Sequence, residues 1–371
     1  MSTKGNCHTR IFPGFNGVVP MNEFIESLQE RIGAANASGD TLSIVGGASK
    51  HFYGGEPEGE PVETREHQGV VSYDPTELVI TVRAGTCLAE VERILAQDKQ
   101  GLPFEPPSFG VDATIGGTIA CGFSGPARPY RGAARDHVLG VNCVSGRGDY
   151  LRFGGQVMKN VAGYDVSRLM TGALGTLGVI TEVSLKVLPL PARERTRVFD
   201  CSGDQALEKI CSLERLPLPV TASAWHQGQL RIRLSGSEMG VDAAVCAVGG
   251  DDDPEGATFW AALKEQQLDF FSGPLPLWRL SMARPATMPD LPAESLVDWG
   301  GSLYWFRSDA APQALFEVAR SNAGHLTRFR GGNRSGQFQG WDKVTARIHQ
   351  GLNTAFDPAG ILNRGRLFGD S

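Results

Sequence analysis

Residues 44–55 read IVGGASKHFYGG: two glycines leave a short apolar run, and a hydroxyl, a cation and an imidazole follow before two more glycines. Such a loop admits two readings. It is an ordinary turn, or it is a nest whose consecutive backbone N–H groups converge on a phosphate, which requires residues without Cβ bulk at closest approach. The loop lacks the GxxxxGK[ST] pattern of a nucleoside-triphosphate site. GALGTLG at 172–178 lacks GxGxxG spacing, and a strand pattern follows it where a dinucleotide-binding fold needs a helix. A second stretch, PPSFGVDATIGGTIACGFSGPARPYRG at 106–132, is rich in glycine and small residues without the polar monotony of a linker, and reads as an ordered loop. Arg131, Arg135 and Asp136 lie at and beyond its end; each arginine is either a bidentate phosphate donor or a solvated charge.

The whole chain limits what these loops can serve. Its 371 residues carry 41 acidic side chains against 35 Lys and Arg with no long run of one sign, so electrostatic capture of nucleic acid or anionic lipid is not expected. The seven cysteines (Cys7, Cys87, Cys121, Cys143, Cys201, Cys211, Cys246) form no CxxC pair. They read as reduced thiols of a cytoplasmic protein, and any iron–sulfur cluster would belong to a partner. Neither a signal peptide nor a transmembrane segment is expected.

The elements that must hold the loops follow from periodicity. Phe24, Ile25, Leu28 and Ile32 recur at helical spacing after Asn22, with Gly33 as the expected stop. Strands are expected at 42–45 and 78–82, and Thr86 should cap a helix carrying Leu88, Val91, Ile94 and Leu95. SGRG joins 138–144 to 150–153 as a hairpin. Residues 179–187 alternate, with Val183, Leu185 and Val187 on one face and Glu182, Ser184 and Lys186 on the other, until Pro189 and Pro191. Beyond 192, strands at 230–234, 303–306 and 326–329 and helices at 237–248, 260–268 and 313–319 make a second lobe. The fold class is α+β. A last helix precedes FDPAGILNRGRLF, which turns at Asp357-Pro358 and Gly360.

Four segments in order, VGGASK, VSYDPTELVITVRAGT, the run from PPSFG to DHVLG, and LMTGALGTLGVITEVSLKVLP, resemble the FAD-binding domain of the vanillyl-alcohol oxidase type, the PCMH fold. RFGGQVMKNVAGYDVSRLMTG and DPAGILNRGRLF resemble most closely the E-subunit family of bacterial glycolate oxidases, over essentially the whole chain. The resemblance implies a PCMH-type FAD-binding domain of two α/β sub-lobes at 1–191, an α+β cap or partner domain at 192–341, and a C-terminal segment, 342–371, returning to the flavin domain. For FAD it implies Gly46, Gly47, Ala48, Ser49 and Lys50 as the first phosphate loop. Thr114, Gly116, Gly117, Ala120, Ser124 and Gly125 match the loop that wraps flavin and phosphates, with Arg131 nearby. Gly178, Val179 and Ile180 match the strand start that meets the cofactor through backbone groups. Some members of this superfamily attach FAD through a His directly after the glycines; here Ser49 and Lys50 intervene before His51, so noncovalent FAD is expected.

Oxidising a 2-hydroxy acid needs a hydride acceptor, a base and a group that fixes the carboxylate. Fuller relatives supply a His pair and a carboxylate on a metal; here His226, His325 and His349 stand alone, and no metal is expected. Arg328 and Arg330, flanking Phe329, are either a carboxylate clamp or arginines committed to ion pairs or a partner. Trp225, Trp278, Trp299, Tyr304 and Trp305 suggest core and interface packing. Tyr164, in KNVAGYD, is the acid–base candidate, with Arg328 as the substrate-binding one. The implied function is that of an FAD-bearing subunit of a glycolate oxidase complex, converting the small 2-hydroxy acid glycolate to glyoxylate beside a larger catalytic flavoprotein subunit and an iron–sulfur subunit. It would be cytoplasmic, touching the inner membrane through partners. The alternatives are a self-sufficient FAD-dependent 2-hydroxy-acid dehydrogenase and a non-catalytic structural PCMH subunit.

Overall fold

The computed structural model describes residues 21–155, 165–334 and 336–367. Helix α1 (Met21–Ser38) buries Ile25, Leu28, Ile32 and Ala35 along one stripe. It runs through Gly33, where a Cβ would meet nothing within 4 Å, and stops at Gly39 with φ +79°. The expected stop was one glycine too early: a solvent-facing glycine costs a helix only about 1 kcal/mol, which the buried stripe offsets, whereas the left-handed turn at Gly39 ends it.

Strands β1 (Leu42–Val45) and β2 (Glu60–Glu63) pair in parallel. The chain continues through β3 (Val70–Asp74), β4 (Val79–Arg83), α2 (Leu88–Gln97) and the short β5 (Gln100–Gly101). Cys87, not Thr86, is the α2 N-cap; the Thr86 hydroxyl instead donates to the Arg83 carbonyl. The glycine-rich loop expected next contains two short helices, α3 (Ile115–Cys121) and α4 (Arg128–Arg131), and α5 (Ala134–His137) follows it. The hairpin β6 (Val138–Val144) and β7 (Tyr150–Gly154), helix α6 (Val166–Met170), β8 (Val179–Lys186) and β9 (Leu188–Pro189) follow. An antiparallel sheet of order β3-β4-β8-β6-β7 results. Its central strand β8 is buried on both faces, so the polar side expected there is inside: Glu182 accepts from Asn142 Nδ2 at 2.7 Å, and the Ser184 and Thr81 hydroxyls pair at 2.8 Å.

From Arg193 the chain builds a second sheet. Strand β10 (Arg193–Asp200), α7 (Gly203–Glu214), β11 (Val220–His226), β12 (Gln229–Gly236), α8 (Glu238–Val248), β13 (Asp251–Asp252) and α9 (Gly256–Lys264) come first. Then follow β14 (Leu277–Ser281), β15 (Ser295–Asp298), β16 (Leu303–Arg307), α10 (Pro312–Ser321), β17 (His325–Arg330) and α11 (Lys343–Phe356). The eight strands order as β13-β10-β12-β11-β15-β16-β14-β17. One face packs beneath α7, α8 and α10 through residues such as Ile210, Val241, Trp278 and Phe316. The other turns Ala224, Leu296, Trp305 and Phe329 onto Tyr53, Phe123 and Leu174 of the first lobe. Polar stitches cross the same boundary: Arg233 Nη2 to Glu105 at 2.6 Å, the Ser108 and Phe109 amides to Glu265, and Trp299 Nε1 to the Gly125 carbonyl at 3.0 Å.

Candidate cofactor-binding site

Where β1 ends at Val45, the first glycine loop opens onto a cleft partly open to solvent, lined by both glycine-rich loops, the start of β8 and the C-terminal segment. Ala48 holds φ +52° and the His51 amide closes a turn on its carbonyl at 2.9 Å. Among the described residues, the amides of residues 46–49 donate to no acceptor. The glycines serve packing as well as ligand approach: a Cβ on Gly47 would overlap the Asp112 carbonyl, and one on Gly46 would come within 2.6 Å of Thr114 Oγ1. These two positions let two loops touch backbone to backbone.

The second loop forms the opposite wall through Thr114, Gly116, Gly117 and Ala120. Its amides are already engaged. Thr114 caps α3 by accepting from the Gly117 amide, while the Ile115 and Gly116 amides donate to the Thr86 and Ala84 carbonyls at 2.9 and 2.8 Å. This wall therefore offers small-residue surface, and the free donors sit on the first loop.

Two buried cations face the cleft. Lys50 is 5% exposed and donates from Nζ to the Ser108 carbonyl at 3.1 Å and Ser49 Oγ at 3.3 Å. Burial lowers its pKa, opposed by the neighbouring Cys121 and Glu265. Arg366 donates to the carbonyls of Lys50, His51 and Gly55, pinning the loop, and burial lowers its pKa too. The imidazole of His51 lies at the exposed edge, its pKa lowered by burial and by Arg366 and Arg334. Asn363 holds the tail in place: its amide nitrogen donates to the Leu174 carbonyl and its oxygen accepts from the Ile44 amide, both at 2.7 Å.

Residues 21–154 match the FAD binding domain family. Over 348 residues, 94% of this chain and 98% of the relative, the sequence is 44% identical to glycolate oxidase subunit GlcE of Escherichia coli (strain K12). The chain belongs to the GlcE family of FAD-linked oxidoreductases. Glycolate oxidase subunit GlcD of Bacillus subtilis (strain 168) is 38% identical over 34% of this chain and 27% of its own, and a D-lactate dehydrogenase of Anaerostipes hadrus 35% identical over 42% and 31%. In fold, the chain resembles p-cresol methylhydroxylase with substrate bound at a TM-score of 0.69, with 16% identity, 92% of this chain and 87% of the other covered. The PCMH-type architecture expected from the sequence is thus observed.

In this GlcE-family chain the cleft gathers Gly46, Gly47, Ala48, Ser49, Lys50, Thr114, Gly116, Gly117, Ala120, Gly178 and Ile180 from the residues singled out in the sequence. Four others lie elsewhere. Val179, one step from Ile180 on β8, points by strand alternation into the core with Leu28 and Val62. Ser124 and Gly125 border an adjoining recess, where Ser124 Oγ accepts from the Ala134 amide. Arg131 reaches across to Ser235 Oγ at 3.2 Å. Tyr164 falls outside the described residues. Arg328 pairs with Trp278 across β17 and β14 and lies over its ring, on the sheet face beneath α10 and away from the cleft. Sequence reasoning missed Arg366 and Asn363 as cleft residues, although NRGR in the quoted tail carried both, and it missed Cys121 and Thr64, which nothing local distinguishes.

Proposed function

We propose that this chain is the FAD-bearing subunit of a glycolate oxidase complex that converts glycolate to glyoxylate, with a larger flavoprotein subunit performing the principal oxidation and an iron–sulfur subunit taking the electrons. The observation that carries the reading is the cleft: four successive amides that are unengaged among the described residues, beside two buried cations, suit a diphosphate with two negative charges. The small-residue wall at Gly116, Gly117 and Ala120 lets a long, flat dinucleotide lie against backbone. FAD, when bound, supplies the hydride acceptor. The residues at 46–49 and Lys50 bind it, Arg366 and Asn363 hold their loop, and the rings of Phe52, Tyr53, Phe109, Phe123 and Phe329 exclude water from the lobe boundary. With Ser49 and Lys50 between the glycines and His51, the attachment is noncovalent. The chain divides at about 191 and 341 into flavin domain, cap and returning tail. The 44% identity to a glycolate oxidase subunit over 94% of this chain and 98% of that subunit favours the subunit reading over a self-sufficient dehydrogenase.

Dye reduction by glycolate, measured on the purified chain and on the chain with its partner subunits, tests this. Turnover is expected only with partners. Robust turnover by the isolated chain would support the self-sufficient enzyme, and a colourless chain that takes up no FAD would leave only a structural role.

A further inference from the structure

Beside the cleft, the boundary between the lobes holds a second recess, partly open to solvent. Arg279 enters it from β14, ringed by Tyr53, Phe123 and Phe329, whose centroids lie 5.5–5.9 Å from its guanidinium carbon. Among the described residues its guanidinium makes a long hydrogen bond to Tyr53 Oη at 3.4 Å, and no carboxylate pairs with it. Arg233 and Arg284 at the same boundary each hold a carboxylate, at 2.6 and 2.7 Å. A half-buried guanidinium between aromatic rings without a counter-ion is a site for an anion.

Gln266 and Asp298 line the recess too, with Ser124 and with Lys264, which is paired to Glu265 at 3.4 Å. Gln266 is 9% exposed, has φ +54°, and its Oε1 has no hydrogen-bond partner among the described residues. Asp298 is 4% exposed and accepts from the Trp299 amide at 2.7 Å. Burial pushes its carboxyl up to about 7, so near neutrality much of it is protonated and able to donate. Aromatic walls with a few convergent polar groups fit a small ligand carrying one charge and one hydroxyl.

We propose that this recess binds a small 2-hydroxy monocarboxylic acid, Arg279 taking the carboxylate and Asp298 and Gln266 the hydroxyl. The proposal deepens the redox reading above and replaces Arg328 as the carboxylate-binding arginine. Trp299 and Trp305 line the same space, so occupancy reads out as tryptophan fluorescence without any turnover. The full-length chain, with FAD and stripped of it, is titrated with glycolate, with 2-hydroxyisobutyrate, which has no α-hydrogen to lose, and with uncharged glycolamide.

Both acids should saturate and glycolamide should not. Arg279→Gln should weaken acid binding at least tenfold, Arg279→Lys should restore part of it, and Arg328→Gln should leave it unchanged, all three folding and retaining bound FAD. No saturable response in the wild-type chain, or equal affinity in Arg279→Gln, overturns the proposal. Loss of FAD from a folded Arg279→Gln chain also overturns it, assigning the recess to the cofactor. If the wild-type chain takes up no FAD yet the stripped protein binds acid through Arg279, the redox reading fails and the recess stands.

Discussion

At the scale of single residues, Lys50 carries the clearest consequence. It directly follows the amides of residues 46–49, which donate to no acceptor among the described residues, and a hydrogen bond to a charged group is worth about 1.5–3 kcal/mol. Lys50→Met should therefore weaken FAD binding by roughly 10- to 100-fold while keeping the fold, as measured by flavin-fluorescence titration and circular dichroism. Asp298 makes a prediction of opposite kind. Its folded carboxyl titrates near 7 against an ordinary value of 3.8, so between these values the folded chain holds a proton that the unfolded chain releases. Stability should then fall as pH rises from about 4 to about 7, by at most a few kcal/mol. Asp298→Asn keeps the acceptor for the Trp299 amide and should lose this component, so melting temperatures of the two proteins should diverge in the variant's favour at pH 8 compared with pH 5. Much at this scale was legible: the glycine pair, Ser49 and Lys50 stand out by type and spacing. Arg279 was not, because a single arginine within a strand looks the same whether it faces an ion pair, solvent or a recess.

At the scale of elements, the returning tail is the part that sequence patterns describe least. No periodicity joins residues 361–366 to β1, yet the Leu42 amide donates to the Ile361 carbonyl at 2.7 Å, and Leu362 bridges Leu42 in parallel. Asp357 folds the turn that makes this possible by accepting from the Ile361 and Leu362 amides. Asn363, 4% exposed with φ +46°, locks it. Asn363→Ala strands the Ile44 amide and the Leu174 carbonyl and should cost about 2–4 kcal/mol in chemical denaturation. It should also loosen residues 42–50 in hydrogen exchange. Alternation on β8 was legible in sequence, but not that both of its faces are covered, since strand patterns record side chains and not the neighbours that bury them. The expected helix at 260–268 lies at Gly256–Lys264, its boundary moved by the turn that brings Glu265 onto the Ser108 and Phe109 amides.

At the scale of the molecule, the two sheets meet along a boundary that is aromatic at its centre and ionic at its side. Arg233, 6% exposed, is held by Glu105 from the first lobe and lies 3.7 Å from Glu194 of its own. Removing one partner of such a buried pair strands the other, so Arg233→Met should destabilise by roughly 3–5 kcal/mol, and Glu105→Gln less. A double-mutant cycle by urea denaturation should return a coupling above 1 kcal/mol; additive losses would mean that this pair does not help to join the lobes. A change of pattern near residue 192 is visible in the sequence, but the contacts between the two sheets are not, because each depends on residues a hundred or more positions apart.

The central claim is that the unengaged amides at residues 46–49 grip the diphosphate of a noncovalent FAD, and the direct measurement is titration of FAD into the flavin-stripped full-length chain beside Gly47→Ala. The account predicts one saturable site, release of all flavin on acid denaturation, and at least a tenfold weaker site in Gly47→Ala, whose Cβ would overlap the Asp112 carbonyl. A folded Gly47→Ala chain that binds FAD as tightly as the wild type would contradict it.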